Sequence, residues 1–325
     1  MNFFDKVPGE LKLFIGGLMA LHGKQTLVKA GVTHVLSAIN YHMEPAMIDG
    51  YEHFQIKLED DEDEDIIQFF PKTNKFIDDA LRGGGGVLVH CAMGKSRSAT
   101  FTLAYLLWRF RDLDPAKALA FAREGRPVVE PNVGFYEQLQ LYHEMGTPDV
   151  IEGQELYRRW QHKKEVEFAR FRGKAPGAER LLYEDEYMRA QAGVEQEVET
   201  ELSHAIRCRH CKFALAAEGY VHPHLPPEPP YRPPSYPGDA KCDQIMLKPL
   251  SWMRAEFSKE WTKGTIYCPG CKISLGSYSW HGGHCSCGSW VVPAIALRES
   301  DIVHRGEITD ETGAPGPLKR GLEKL

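Results

Sequence analysis

Seven of the eight cysteines in this 325-residue chain fall between Cys208 and Cys287, and only Cys91 lies outside that stretch. No basic patch followed by an apolar stretch opens the chain, and no run of about 18 apolar residues occurs anywhere. The expectation is a cytoplasmic and nuclear protein with no membrane segment, kept under reducing conditions. There, clustered cysteines read as metal ligands rather than disulfides. The later part of the chain must close around metal, whereas the first two hundred residues need an apolar core of their own. With 42% hydrophobic and 26% charged residues, a collagen-like, mucin-like or wholly disordered chain is excluded. At about 150 residues per domain the length suits two domains. The net charge of −6 is divided, with −9 before Ala205 and +3 from Ala205 onward, which argues against a generally basic nucleic-acid binder.

The first half alternates short apolar runs with helical patterns. Leu11 to Ile15, Val32 to Ile39, Phe54 to Leu58 and Gly86 to His90 read as strands. Helices are expected over Leu18 to Lys29 and over Ile66 to Leu81, where Pro71 shortens or kinks the first turns. Three more are expected at Ser98 to Phe110, Pro115 to Arg123 with Asp114 as N-cap, and Asn132 to Glu144. This rhythm predicts an α/β fold of three layers, a mainly parallel sheet covered on both faces. The expected division is a first domain over 1–149, a charged helical connector over 150–204, a cysteine-bearing domain over 205–300 and a polar tail over 301–325. Eight of the fifteen residues from Pro223 to Pro237 are proline, which reads as an extended loop.

His90-Cys91-Ala92-Met93-Gly94-Lys95-Ser96-Arg97-Ser98 follows a strand and opens a helix. A tight loop there turns successive backbone N–H groups toward one point and adds the positive end of a helix dipole, which makes an anion site of Ala92, Met93, Gly94, Lys95, Ser96 and Arg97. Cys91 in that field is expected to ionise below the ordinary thiol range. Arg97 supplies a planar fork for two phosphoryl oxygens. The pattern is a nucleophile joined to a phosphate clamp. Transfer from an alkoxide or phenolate leaving group also needs a proton donor. The acidic run Glu59 to Asp65 lies at the same end of the sheet, and spacing leaves Asp60, Asp61 and Asp63 as alternatives.

In the last part, Cys208-x2-Cys211 and Cys268-x2-Cys271 each allow one turn to present two sulfurs to a zinc ion. Cys285-x-Cys287 lies close enough in sequence to Cys268 and Cys271 to complete a four-thiolate site. That leaves Cys208, Cys211 and Cys242 to be joined by a histidine, His222 or His224. Two closed, structural zinc ions are expected. Aromatic residues Tyr157, Trp160 and Phe168 read as packed against a neighbouring domain, and Trp252, Trp280 and Trp290 as the small core around the zinc ions.

These residues carry a resemblance. Leu58-Glu59-Asp60, Asp65-Ile66, Val89-His90-Cys91 through Arg97-Ser98-Ala99, Pro131-Asn132-Val133-Gly134-Phe135 and Gln138-Leu139 resemble the dual-specificity branch of the cysteine-dependent protein phosphatases, over roughly Leu11 to Met145. The resemblance implies Cys91 as nucleophile, Arg97 as phosphate-binding arginine, Asp60 as general acid and Ser98 as the hydroxyl that helps Cys91 leave. It implies hydrolysis of phosphotyrosine and phosphoserine or phosphothreonine in phosphoproteins through a cysteinyl-phosphate, with no cofactor for catalysis. Lys95 departs from the small apolar residue common at its position.

Pro249-Leu250-Ser251-Trp252-Met253, Cys268-Pro269-Gly270-Cys271 and Trp280 through Trp290 are similar to the zinc domain of the subgroup associated with large ribosomal subunit assembly. That likeness implies His224 as the histidine ligand, a precursor large ribosomal subunit as partner and a role in its late maturation. An alternative within the resemblance is an assembly factor whose phosphatase activity is accessory. A third reading, an RNA 5′-triphosphatase using the same loop, is set aside by the acidity of the first domain.

Overall fold

Val87, Leu88 and Val89 expose no surface, a run without polar alternation that suits only a strand covered on both faces. In the computed structural model, which describes residues 3–186, 188, 205–224 and 242–304, this run is β5 (Gly86–Cys91) at the centre of a five-stranded sheet. The other strands are β1 (Phe4–Lys6), β2 (Leu13–Gly17), β3 (Val32–Ala38) and β4 (Glu52–Ile56), in the order β1-β2-β5-β3-β4. Strands β2, β3, β4 and β5 pair in parallel, and β1 is an antiparallel edge on β2. This mainly parallel sheet agrees with expectation. Strand β1 was not expected, because three residues are too few to show a period.

Helix α1 (Lys24–Lys29) and α2 (Pro45–Ile48) lie on the side of the apolar cluster formed by Phe14, Leu27, Val35 and Leu88, where Met47 and Ile48 also pack. The single helix expected over Leu18 to Lys29 is in fact two pieces, a 3-10 turn Leu18–His22 and then α1, because Gly23 takes a non-helical conformation between them. The remaining helices of this unit are α3 (Phe70–Arg82), α4 (Arg97–Arg109), α5 (Pro115–Gly125) and α6 (Val133–Glu144). Pro71 stands in the first turn of α3, where its missing N–H costs no hydrogen bond, and a 3-10 turn Ile67–Phe69 precedes it. Every residue of α4 from Arg97 to Leu107 is buried, so α4 is the central helix of its layer. Asp114 and Asn132 cap α5 and α6 by accepting from the N–H of Lys117 and Phe135 at 2.8 Å.

The chain forms two compact units that divide between Arg158 and Arg159, inside α7 (Glu155–Arg172). The second unit has its own core, to which Val166, Ala178, Leu181 and Tyr183 contribute together with Phe257, Tyr278 and Trp280. Arg159 donates to both carboxylate oxygens of the buried Glu184. Its sheets are β14 (Ile302–Val303), β6 (Ala205–Cys208) and β7 (Ala214–Ala217) in one, and β8 (Gln244–Met246), β13 (Ala294–Arg298), β10 (Ser274–Ser279) and β9 (Lys263–Tyr267) in another. A hairpin, β11 (Gly283–His284) and β12 (Trp290–Val291), stands apart from both. Trp280 is wholly buried and Trp252 donates its indole N–H to the carbonyl of Leu215. Trp290 departs from expectation: it is 54% exposed on the outer side of the short hairpin, edge-on to His284. The proline-rich segment from Leu225 on, the tail beyond His304 and most of 187–204 lie outside the described residues. No helix among those described is long and apolar enough to cross a membrane.

Candidate active site and metal centres

The loop from β5 to α4 leaves the carboxyl end of the central strand, where open parallel sheets place their ligands. It folds tightly because Gly94 has φ +71°, and a Cβ there would lie 2.4 Å from the carbonyl carbon of Gly16. Only glycine fits at such an approach. Cys91 is 1% exposed, and its sulfur accepts the N–H of Gly94 at 3.3 Å and lies 3.3 Å from Ser98 Oγ. Burial pushes the Cys91 thiol up, but the Ser98 hydroxyl and the N–H groups of Ser98, Lys95 and Gly94 outweigh it, so its pKa falls below the ordinary thiol value. The thiolate is thereby favoured before any substrate arrives.

Arg97, 7% exposed, donates from one terminal nitrogen to the carbonyl of Leu58 at 3.1 Å. Its buried Nε makes no hydrogen bond within the structure, and Asp60 Oδ2 lies 3.7 Å from it. A buried guanidinium nitrogen of this kind suits an anion that brings its own acceptors. Asp60 Oδ1 accepts from Ser96 Oγ at 2.6 Å and from Asn132 Nδ2 at 3.0 Å. Asp61 instead caps its own turn by accepting the N–H of Asp63 at 2.9 Å. Thus Asp60 is the carboxylate that the structure brings against the Cys91 loop. Helix α6 reaches the acidic segment closely, since a Cβ on Gly134 would sit 1.9 Å from the carbonyl oxygen of Glu62.

Behind the loop, His90 is fully buried and burial lowers its pKa to about 4, leaving a neutral ring. Ser37 Oγ lies 2.6 Å from His90 Nε2 and 2.8 Å from His53 Nε2. A hydroxyl has one hydrogen to give. With His90 Nδ1–H directed at the Cys91 carbonyl, Ser37 donates to His90 and accepts from His53, which orders the chain by hydrogen-bond matching. The sequence reading missed these groups. It also missed Arg126, 4% exposed, whose guanidinium donates to the carbonyls of Gly94 at 2.9 Å and Met93 at 3.2 Å and pairs with Asp5 at 2.6 Å. By holding those carbonyls outward it leaves the N–H groups to face Cys91. Nothing in the spacing after Arg97 signals this role. Lys95, half-exposed, pairs with Glu130 at 2.5 Å.

In the second unit, two turns of the same construction carry four of the cysteines. Cys208 N–H donates to Phe213 O and Lys212 N–H to Cys208 O, while Cys268 N–H donates to Ile273 O and Lys272 N–H to Cys268 O. In each, the lysine after the second cysteine takes a positive φ, 61° and 62°. These turns face each other, and Cys208, Cys211, Cys268 and Cys271 form one group while His224, Cys242, Cys285 and Cys287 form another, with the ligand atoms of each within 4.8 Å of one another. The grouping corrects the expectation that Cys285 and Cys287 would complete a site with Cys268 and Cys271. Hairpins β6–β7 and β9–β10 present like turns to each other across 57 to 63 residues of sequence, and the β11–β12 hairpin carries Cys285 and Cys287 toward Cys242 and Met246. His224 Nε2 lies 3.1 Å from both Cys242 and Cys285 sulfurs, whereas His222 turns to the carbonyl of Pro223.

The donor sets fit a metal. Burial and the surrounding thiols push Cys268 and Cys285 up to about 12, whereas hydrogen bonds lower Cys271 to about 7 and outweigh burial to bring Cys287 below the ordinary thiol value. Each group therefore mixes a readily ionised thiol with one that a bound cation would have to deprotonate. Among the described residues no carboxylate joins either group, and each group brings together four protein donors.

Residues 13–145 match the family model described as the dual specificity phosphatase catalytic domain. Tyrosine-protein phosphatase YVH1 of Saccharomyces cerevisiae is 30% identical over 89% of this chain and 89% of its own length. Tyrosine-protein phosphatase yvh1 of Schizosaccharomyces pombe is 32% identical over 84% of this chain and 76% of its own. The crystal structure of the Yvh1 phosphatase domain from Chaetomium thermophilum aligns at 36% identity over 45% of this chain and 98% of that one, with a TM-score of 0.42. Since the likeness to the yeast proteins runs through both units, this chain belongs to the dual-specificity protein phosphatases of the protein-tyrosine-phosphatase superfamily.

Proposed function

We propose that the enzyme hydrolyses phosphotyrosine and phosphoserine or phosphothreonine in proteins through a phosphoryl group carried on Cys91. The convergence of the Cys91 sulfur, the loop N–H groups, Arg97 and the Asp60 carboxylate on one point carries this reading. In the first step Cys91 Sγ attacks phosphorus in line as the bond to the leaving oxygen breaks. Arg97 and the N–H groups of the loop stabilise the equatorial oxygens, and protonated Asp60 gives its proton to the leaving oxygen. In the second step Asp60, now a carboxylate, takes a proton from water as the water oxygen attacks phosphorus. The S–P bond breaks, Ser98 stabilises the departing thiolate, and inorganic phosphate leaves.

The two groups of the second unit are proposed to hold structural zinc. In the group of Cys208, Cys211, Cys268 and Cys271, sulfur edges of 3.7 Å for Cys208 to Cys271 and 3.5 Å for Cys211 to Cys268 suit a tetrahedron with metal–sulfur bonds of about 2.3 Å, whose edges are about 3.8 Å; the second group is assigned on its donor set alone. Bound zinc would cross-link the turns and take no part in phosphoryl transfer. Through this unit the chain is proposed to take part in late maturation of a precursor large ribosomal subunit, in the cytoplasm and nucleus. The likeness of Pro249 to Met253 and of Trp280 to Trp290 to the ribosome-associated subgroup supports this.

The acid assignment has its own test. Asp60→Asn is expected to slow hydrolysis of a phosphoserine peptide by about 100-fold or more and that of an activated aryl phosphate far less, because a nitrophenolate leaves without a proton. Should Asp61→Asn show that split and Asp60→Asn lack it, the acid is Asp61.

A further inference from the structure

The segment Glu59 to Asp65 is seven acidic residues in succession, so its conformation has to be imposed against like-charge repulsion. At its start, the carbonyl of Leu58 is held by Arg97. Near its end, Gln138 accepts the N–H groups of Ile66 and Ile67 at 3.0 and 3.1 Å and donates to the carbonyl of Glu64 at 2.8 Å. One more grip comes from beyond residue 145, where the catalytic-domain match ends. The hydroxyl of Tyr157, in the first turn of α7, donates to Asp65 Oδ2 at 2.7 Å. Tyr157 is 5% exposed and Asp65 is half-buried, so water only partly screens this contact, and a hydrogen bond to a carboxylate there is costly to lose.

We propose that Tyr157 is a positioning residue for the general acid: by holding Asp65 it sets the seat of the acidic segment and hence the placement of Asp60 against the leaving oxygen. The proposal rests on the reading of Asp60 as the acid. The contact of the Tyr157 hydroxyl is with the acidic segment that carries Asp60, so its influence falls on protonation of the leaving group and spares thiolate formation. A merely structural tyrosine would depress all substrates alike.

The test uses the full chain and a series of phosphate esters from a phosphoserine peptide through phenyl phosphate to p-nitrophenyl phosphate. Tyr157→Phe is expected to lower kcat/KM for the phosphoserine peptide by about three- to tenfold and for p-nitrophenyl phosphate by less than about twofold. The loss should fall on kcat rather than KM, and the rate of Cys91 alkylation by iodoacetamide against pH should stay as in the parent. Asp65→Asn keeps an acceptor for the hydroxyl and should retain most of the activity, whereas Asp65→Ala should reproduce Tyr157→Phe. The double variant should be no worse than either alone. Equal losses across the series, no loss in Tyr157→Phe, or additive losses in the double variant would overturn the proposal. Asp60→Asn is measured beside them. If it shows no dependence on the leaving group, the acid assignment itself fails; if it does and Tyr157→Phe does not, only the role of Tyr157 fails.

Discussion

Cys91→Ser is expected to hydrolyse phosphoprotein and aryl phosphate at least about a thousandfold more slowly than the parent chain, in keeping with the loss of a nucleophile that works as a unit with its neighbours. The alkoxide of a serine is not formed at neutral pH by the hydrogen bonds that suffice for a thiol. Binding of tungstate should survive, because the loop N–H groups and Arg97 are untouched and Arg126 still holds the carbonyls of Met93 and Gly94 outward. Activity assays and tungstate titration by calorimetry read the two effects separately. Turnover near the parent level in Cys91→Ser would exclude Cys91 as nucleophile.

Removal of metal is expected to have an effect as large, on a different unit. Two zinc ions per chain should be released by a strong chelator, seen by native mass spectrometry. Circular dichroism and the fluorescence of the buried Trp280 should then report collapse of the second unit, while p-nitrophenyl phosphate hydrolysis continues. Structural zinc contributes an apparent ~10–16 kcal/mol to small domains, more than the overall stability of about 5–15 kcal/mol typical of a domain. The same treatment, or Cys268→Ala, should abolish co-sedimentation with precursor large ribosomal subunits, whereas Cys91→Ser should preserve it. Comparison at equal abundance is required, since unfolded variants are cleared by proteases. Retention of the fold after complete metal removal would contradict the structural role, and loss of co-sedimentation in Cys91→Ser would tie the partner to the catalytic unit instead.

What sequence makes legible is local. The Cys91 loop was readable because a strand, a glycine turn and a helix start are contiguous, and the same contiguity gives each Cys-x2-Cys turn. Asp60 was separable from Asp61 and Asp63 only through resemblance, since three carboxylates in one acidic run are equivalent until the backbone turns them. The division of cysteines between the two groups was misread for a related reason. Proximity in sequence favours Cys271 with Cys285, but the facing turns of two hairpins from different sheets set Cys271 against Cys208 at 3.7 Å. Arg126 and Tyr157 carry no motif at all. Each acts by reaching back to a segment 30 or more residues away, and an arginine after a helix or a tyrosine in a charged helix has many ordinary uses. Trp290 was misplaced because a tryptophan beside metal ligands reads as core, whereas a two-stranded hairpin has an outer side as well as an inner one.

The covalent intermediate is the most direct measure of the mechanism. In Ser98→Ala the group nearest the Cys91 sulfur besides Gly94 N–H is gone, so expulsion of the thiolate in the second step should slow more than its attack in the first. Full-chain Ser98→Ala mixed with excess aryl phosphate, quenched in acid within the burst and digested with protease, should yield the peptide containing Cys91 carrying the added mass of one phosphoryl group. The same peptide from Ser98→Ala combined with Cys91→Ser should carry none. A burst of product with the phosphoryl group on any other residue, or steady turnover with no phosphorylated peptide at any quench time, would contradict transfer through Cys91.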